Sequence, residues 1–384
     1  MALDEATLGQ LRETVRRFVS ERLIPLEAQV AEDDVVPESV VEEMRALGLF
    51  GLSIPEEYGG LGLSMFDEVQ IAFEFGRTSP AFRSVIGTNN GIGSHGIIID
   101  GTETQKNHYL PRLASGEIIS AFALTEPQSG SDAASISTTA RREGNEYVIN
   151  GTKRYITNAP EASLFTVFAR TAPKTEGVKG ISALLVEGDL PGITIGPWDR
   201  KMGQRGAHTA DVTFTDCRVS ADALISGAEG VGFKTAMKVL DRGRIHIGAV
   251  CVAAAERLID DSLRYAMERQ QFGQPIAEFQ LIQAMLADSR AEAYASRCMV
   301  EETARRRDSG LPVVTEASCC KLFCAEMVGR VADRAVQIHG GAGYMAEYGI
   351  ERFYRDVRLF RIYEGTSQIQ QLVIARNMMR EAGE

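Results

Sequence analysis

A single carboxylate late in the chain, Glu364, has the neighbours a proton-abstracting group needs. It stands in the stretch Arg361-Ile362-Tyr363-Glu364-Gly365-Thr366-Ser367-Gln368-Ile369-Gln370, after an aromatic residue and ahead of a helical run. Gly365 lets a ligand approach the backbone, Thr366 can cap the following helix through its hydroxyl, and the free amides of that helix start favour anions. On its own the pattern also describes a surface glutamate in a glycine turn, so other stretches must decide. A second candidate, Gly91-Ile92-Gly93-Ser94-His95-Gly96 with Glu117 beyond it, fits the G-x-G-x-x-G of dinucleotide-binding folds. It lies among helical stripes with no βαβ unit around it, and so reads as small residues permitting close helix packing. Metal chemistry is not expected. The six cysteines (Cys217, Cys251, Cys298, Cys319, Cys320 and Cys324) form no C-x-x-C pair, and the five histidines form no H-E-x-x-H.

Three regions must position Glu364. Up to about residue 120 the pattern is helical: Leu8, Leu11, Val15 and Phe18 repeat at three and four residues, Pro25 interrupts, and Val40, Val41, Met44 and Leu47 form a second stripe ending at Gly48. From Ser120 to about Ser226 strand patterns dominate. The run Glu146–Thr157 reads as two strands around an Asn150-Gly151 turn, Ser163–Ala169 and Ile181–Val186 are apolar strand-like runs, and Val212–Thr215 alternates in period two. Helices return after Gly232, with Phe279, Ile282, Met285 and Leu286 marking one and Cys320, Cys324, Met327, Val328, Val331 and Ala335 the next. The expected fold is α+β and multidomain: an N-terminal all-α domain over 1–120, a central β-barrel-like domain over 121–226, and a C-terminal four-helix bundle over 227–384.

Several motifs occur along this framework. Ala121-Phe122-Ala123-Leu124-Thr125-Glu126-Pro127-Gln128-Ser129-Gly130-Ser131-Asp132 contains T-E-P-x-x-G-S-D, followed by Tyr155-Ile156-Thr157-Asn158, Met202-Gly203-Gln204-Arg205, Arg269-Gln270-Gln271-Phe272-Gly273, Gln337-Ile338-His339-Gly340-Gly341 and the Glu364 stretch. In content and order this set resembles the acyl-CoA dehydrogenases over essentially the whole chain. The resemblance implies FAD bound between the β domain and the C-terminal helices, with Phe122, Leu124, Thr125, Gly130 and Ser131 in one loop and Tyr155, Ile156 and Thr157 beside the ring. Short hydroxyls such as Thr125 and Thr157 suit the polar edge of a flavin, though both also fit turn or strand-end roles. The resemblance further implies a homotetramer in which a neighbouring copy supplies Arg269, Gln271, Phe272, Phe279, Gln280, Gln337, Ile338, Gly340 and Gly341, with Thr366 and Gln368 completing the FAD contacts. A guanidinium such as Arg269 suits a pyrophosphate because it offers two parallel donors.

The implied reaction is α,β-dehydrogenation of an acyl-CoA thioester to a trans-2-enoyl-CoA, with electrons passing to an electron-transfer flavoprotein. Glu364 would be the base, and burial would have to raise its basicity above that of an ordinary glutamate. Ser131, Asp241, Arg244, Tyr363, Gly365 and Arg376 would contact substrate or brace the base loop. Some family members carry the base on the helix after the β domain, where this chain has Gly243. Phe82-Arg83-Ser84 resembles a Tyr-Arg-Ser segment of glutaryl-CoA dehydrogenases, which points Arg83 and Ser84 toward an anionic acyl group; pairing of Arg83 with a protein carboxylate such as Glu74 would satisfy the same desolvation cost. Tyr155 stands where many relatives have tryptophan.

With 41 basic and 52 acidic side chains the net charge is −11, which argues against a broad nucleic-acid or anionic-membrane surface. No apolar run approaches bilayer length, so no membrane insertion is expected. The amino terminus lacks a signal-peptide pattern, which favours a cytoplasmic protein; a mitochondrial matrix protein without its transit peptide would look the same. A desulfinase-type lyase of the same fold, an acyl-CoA oxidase and a catalytically silent binder are the competing readings, and retention of Glu364 disfavours the first and last.

Overall fold

The computed structural model describes residues 3–383. Seven helices open the chain: α1 (Glu5–Phe18), α2 (Glu27–Asp33), α3 (Glu38–Ala46), α4 (Met65–Phe75), α5 (Pro80–Asn90), α6 (His95–Asp100) and α7 (Glu103–Ala114). Their starts follow the local chemistry: Asp4, Ser64, Ser79 and Thr102 each accept a first-turn N–H, and Thr102 forms a reciprocal capping box with Gln105. The stripes read from the sequence face one core, in which Val15, Phe18, Val40, Val41 and Met44 pack with Phe50, Phe75 and Phe82. At Ile24–Leu26, around Pro25, a 3-10 turn replaces the α-helix, because proline removes a backbone donor.

The strands are β1 (Ser120–Ala123), β2 (Thr139–Glu143), β3 (Glu146–Thr157), β4 (Leu164–Arg170), β5 (Ile181–Glu187), β6 (Ile193–Ile195) and β7 (Thr209–Ser220). They form a seven-stranded sheet in the order β1-β4-β2-β3-β7-β6, with β5 paired to β4. One sequence expectation fails here: Asn150-Gly151 is not a hairpin turn. β3 runs straight through it, antiparallel to β7, with a register shift between Ile149 and Gly151. Gly151 has φ 147°, and a Cβ there would lie 2.5 Å from the Thr138 hydroxyl. The glycine is therefore a bulge forced by the neighbouring strand β2, which Thr138 immediately precedes and whose Thr139 pairs with Asn150, rather than a reversal.

Helix α8 (Gly232–Glu268) follows, then the hairpin β8 (Gln270–Gln271) and β9 (Gln274–Pro275), α9 (Gln280–Asp308), α10 (Val314–His339), α11 (Gly341–Tyr344), α12 (Ile350–Val357) and α13 (Ser367–Gly383). α8, α9, α10 and α13 make the four-helix bundle, with α10 touching each of the other three. Its core joins Ile245, Val250 and Leu258 of α8 to Val300 of α9 and Cys320, Cys324, Met327 and Val328 of α10. The cysteines there are buried free thiols in apolar packing. No described helix is long and apolar enough to cross a membrane.

The G-x-G-x-x-G stretch links α5 to α6 rather than a strand to a helix. Gly93 lies so close to β1 that a Cβ would meet the Ser120 hydroxyl at 1.9 Å. The small residues do serve close packing, but the neighbour of Gly93 is strand β1 rather than the second helix expected from the sequence.

Candidate active site

A cavity of about 770 Å³ lies where the three regions meet. From the N-terminal helices it takes Arg83, Ser84 and Gly87; from the sheet and its loops, Phe122, Leu124, Thr125, Gly130, Ser131, Tyr155, Ile156 and Thr157; from the C-terminal helices, Gly243, Arg244, Tyr363, Glu364, Gly365 and Arg376. Residues from distant parts of the sequence thus share one wall, and every site residue read from the first two regions is among them. Asp241 is set back from it and pairs with Arg244 at 2.6 Å.

Glu364 is held in an unusual way. Its φ is 52° and that of Gly365 is 86°, two successive left-handed residues between α12 and α13. Thr366 caps α13 as its position suggests, accepting the Ile369 N–H at 3.2 Å. The Glu364 Oε2 atom is buried and has no hydrogen-bond partner. Burial raises the pKa of this carboxyl above the ordinary glutamate value, opposed by the positive charges of Arg83, Lys321 and Arg244. The carboxylate occupies space that exists because residue 243 lacks a side chain: a Cβ there would sit 2.1 Å from Oε2.

Left-handed φ also occurs at Tyr155 (57°) and Gln204 (52°), both on the cavity wall, and at Asn158 (61°) behind it. Non-glycine residues hold this conformation only where the surroundings over-determine it, and such residues cluster at functional sites. Asn158 shows how this is done: its Nδ2 donates to the Ser84 carbonyl and to the Thr88 hydroxyl, each at 2.9 Å, tying the sheet to α5. Tyr155 is more than half exposed and stacks under the Arg154 guanidinium at 5.1 Å.

The Thr125 loop is fixed by a buried ion pair that motif reading passed over. Glu126 accepts from Lys153 Nζ at 2.8 Å, the Ser137 N–H at 2.6 Å and the Thr138 N–H at 2.9 Å. Burial opposes ionisation, but the lysine charge and these donors overcome it and hold the Glu126 carboxyl at about 2. Lys153 also donates to the Leu124 carbonyl at 3.1 Å. Gln128 joins the same cluster, with Nε2 at 2.6 Å from Glu126.

Arg83 does not pair with Glu74, the alternative left open by the sequence. Glu74 is taken by Arg12 and Arg16 of α1, at 3.0 and 2.9 Å. Arg83 instead donates through Nε to His246 Nε2 at 3.1 Å, His246 Nδ1 donates to Glu68 at 2.9 Å, and Glu68 pairs with Arg242. Burial and the Arg83 charge push the His246 pKa below the ordinary histidine value, which favours the neutral ring, and Arg242 offsets Glu68. The chain leaves the Arg83 charge on the cavity wall, folded over Gly87, where a Cβ would lie 2.9 Å from the guanidinium carbon.

A second group does not reach this cavity. Arg269, Gln271 and Phe272 are exposed at the β8–β9 hairpin, Phe272 at 93%, Gln280 is exposed at the start of α9, and Gln337, Gly340 and Gly341 are exposed at the end of α10. Phe279 and Ile338 join the two ends through a small apolar cluster with Ala266 and Ile276. Gln368 is exposed on α13.

The whole arrangement has counterparts. Three family models match in sequence: the acyl-CoA dehydrogenase N-terminal domain over residues 5–117, the middle domain over 121–217 and the C-terminal domain over 230–379. The chain belongs to the acyl-CoA dehydrogenase family. It is 44% identical over 372 residues to the acryloyl-CoA reductase (NADH) of Anaerotignum propionicum, covering 96% of this chain and 94% of that one. It is 40% identical to the human mitochondrial short-chain specific acyl-CoA dehydrogenase, covering 97% and 90%. Among solved structures, a chain in that of the electron transferring flavoprotein of Acidaminococcus fermentans superposes with a TM-score of 0.95 at 35% identity, over 99% of both chains.

As a member of a flavin-dependent acyl-CoA dehydrogenase family, this oxidoreductase can be tested for a flavin site on its own residues. The wall offers an aromatic face at Tyr155, apolar contact at Phe122, Leu124 and Ile156, and hydroxyls at Thr125, Ser131 and Thr157, around a loop fixed in place by Glu126 and Lys153. That donor set fits a large planar ring with one polar edge. Reading motifs alone missed Lys153, His246, Glu68 and Lys321. The signal for Lys321 was present, since it lies in the apolar stripe of α10 between Ala317 and Cys324.

Proposed function

We propose that this acyl-CoA dehydrogenase uses FAD to convert an acyl-CoA into its trans-2-enoyl-CoA, with Glu364 as the base that removes the α-proton. The observation that carries this is a carboxylate oxygen buried on the cavity wall without a partner, its pKa raised by burial. Phe122, Leu124, Thr125, Gly130, Ser131, Tyr155, Ile156 and Thr157 hold the cofactor, which supplies the hydride acceptor when bound. Among the described residues no acceptor takes the Glu364 N–H, which leaves it free to bind the thioester oxygen and acidify the α-carbon. Arg244 and Arg376 face the phosphate-bearing part of CoA. Arg269, Gln271, Phe272, Phe279, Gln280, Gln337, Ile338, Gly340 and Gly341 complete the cofactor site of a neighbouring copy in a homotetramer, which accounts for the exposure of Phe272, Leu281 and Tyr344. An electron-transfer flavoprotein takes the electrons onward. The test is anaerobic addition of acyl-CoA esters to the flavin-loaded protein: bleaching is expected for the parent and absent for Glu364→Gln, and bleaching by the variant at the parent's rate overturns the assignment.

The preferred acyl group is short and carries an anion at its far end. Arg83 supports this, because its charge faces the cavity with Glu68 already matched by Arg242 and Glu74 by Arg12 and Arg16. Glutaryl-CoA is expected to outperform butyryl-CoA in kcat/KM, and Arg83→Met to reverse that order; an unchanged preference refutes the role of Arg83. The 44% identity to a protein named acryloyl-CoA reductase (NADH) favours one further reading, in which turnover runs from the enoyl ester to the saturated one with Glu364 returning the proton. NADH-dependent loss of an enoyl-CoA, with the electron carrier present, distinguishes the directions.

A further inference from the structure

Helix α10 carries a lysine on its apolar face. Ala317, Lys321, Cys324 and Val328 follow helical spacing, and each is fully buried. An ammonium withdrawn from water needs a compensating partner. Lys321 Nζ donates to the carbonyl of Gly365 at 2.6 Å, and the charged or titratable groups around it are Cys251, Glu364, Arg244 and Glu326. Lys321 does not line the cavity; it lies behind the loop that presents the base.

A second side chain holds the same loop. Gln370, fully buried in the first turn of α13, donates through Nε2 to the Glu364 carbonyl and to the Gly365 carbonyl, both at 3.1 Å. The two left-handed residues therefore have both carbonyls fixed, one of them by a buried cation. Nothing in the regular secondary structure on either side would select this turn, which falls between the 3-10 turn at Arg358–Arg361 and the start of α13.

We propose that Lys321 is a positioning residue for the base: its ammonium, together with the Gln370 amide, clamps the left-handed turn and fixes where the Glu364 carboxylate meets the substrate's α-carbon. This rests on the reading of Glu364 as the base. The clamp has an electrostatic consequence as well. Burial raises the Glu364 pKa, and Arg83 from α5, Lys321 from α10 and Arg244 from α8 act against it, with Tyr363 and Cys251 as the neutral titratable neighbours. Removing the lysine charge leaves burial less opposed, so the carboxyl must lose its proton at higher pH.

The test uses the flavin-loaded protein and a 3-thiaacyl-CoA, whose sulfur at the β-position prevents hydride loss, so that exchange of the α-proton with D2O, followed by proton NMR, reports the base alone. For Lys321→Met the exchange rate near neutral pH should fall about tenfold or more, with the acidic limb of its pH profile moved upward and little change in the ester's affinity. Lys321→Gln, which keeps a neutral donor, should recover part of the rate above its shifted limb. Parent rates and an unmoved limb in Lys321→Met overturn the proposal; if that variant does not fold, Lys321→Gln decides on the same limb. Glu364→Gln separates the two claims. Exchange retained in that variant removes Glu364 as the base, whereas exchange lost there but normal in the lysine variants removes only Lys321.

Discussion

Substituting Gly243 by alanine adds one methyl group at the point where the structure leaves least room. The new Cβ would lie 2.1 Å from Glu364 Oε2, closer than carbon and oxygen atoms approach. Relief requires the carboxylate to retreat by about 1 Å, a displacement of the size that costs roughly a hundredfold in rate when a catalytic group is misplaced. That corresponds to about 2.7 kcal/mol on the barrier. The helix itself should not suffer, because alanine is favoured over glycine in a helix interior by about 1 kcal/mol. Steady-state kcat with the preferred ester is the assay, alongside flavin content and a thermal melt as controls. A folded, flavin-loaded Gly243→Ala protein with the parent's kcat would refute the reasoning, since it would show that the carboxylate does not work from where the structure places it.

Moving the base rather than crowding it makes a companion test: Glu364→Gly alone should be inactive, whereas Glu364→Gly with Gly243→Glu should regain measurable turnover, because glycine accepts the left-handed backbone and the two positions share one space. Glu126→Gln strands the fully buried Lys153 ammonium and should cost about 3–5 kcal/mol, read as a lowered urea midpoint and faster loss of flavin, while Glu126→Gln with Lys153→Met should be milder. Glu126 and Glu68 both have pKa values of about 2 in the folded chain, below the unfolded value, so their stabilising contribution is complete above roughly pH 4.5 and is lost as the pH falls toward 2; acid melts of the Glu126→Gln/Lys153→Met protein should be flatter over that window than those of the parent. Arg83→Met should move the acidic limb of turnover of a neutral ester to higher pH, since a charge opposing burial of Glu364 is gone.

Much of this site is visible in the residue order because it depends on local requirements. A left-handed turn wants glycine after the base, a helix start wants a threonine, and both are written next to Glu364. The three-region order is legible for the same reason, since helical stripes and alternating strands differ in period. What stayed hidden depends on contacts between distant segments. Gly151 looked like a turn because nothing in the Asn-Gly pair announces Thr138, at the head of the neighbouring strand β2, which lies against it. Glu74 was a reasonable partner for Arg83 until α1 delivered Arg12 and Arg16 to it. Lys153 and Lys321 look like surface residues by type, and only the fold shows that each is fully enclosed and held by named oxygens, those of Glu126 and Leu124 for the first and of Gly365 for the second.

The bare aromatic ring at the tip of the β8–β9 hairpin bears on how the protein should be handled. Phe272 has water on nearly every side, as do Leu281 and Tyr344, and solitary copies holding so much oily surface will adsorb to plastic or stick to one another out of register. Stock concentration is then an experimental variable in its own right: specific activity measured after long standing at nanomolar protein should drift downward, and the same sample stored at micromolar strength and diluted immediately before the measurement should not.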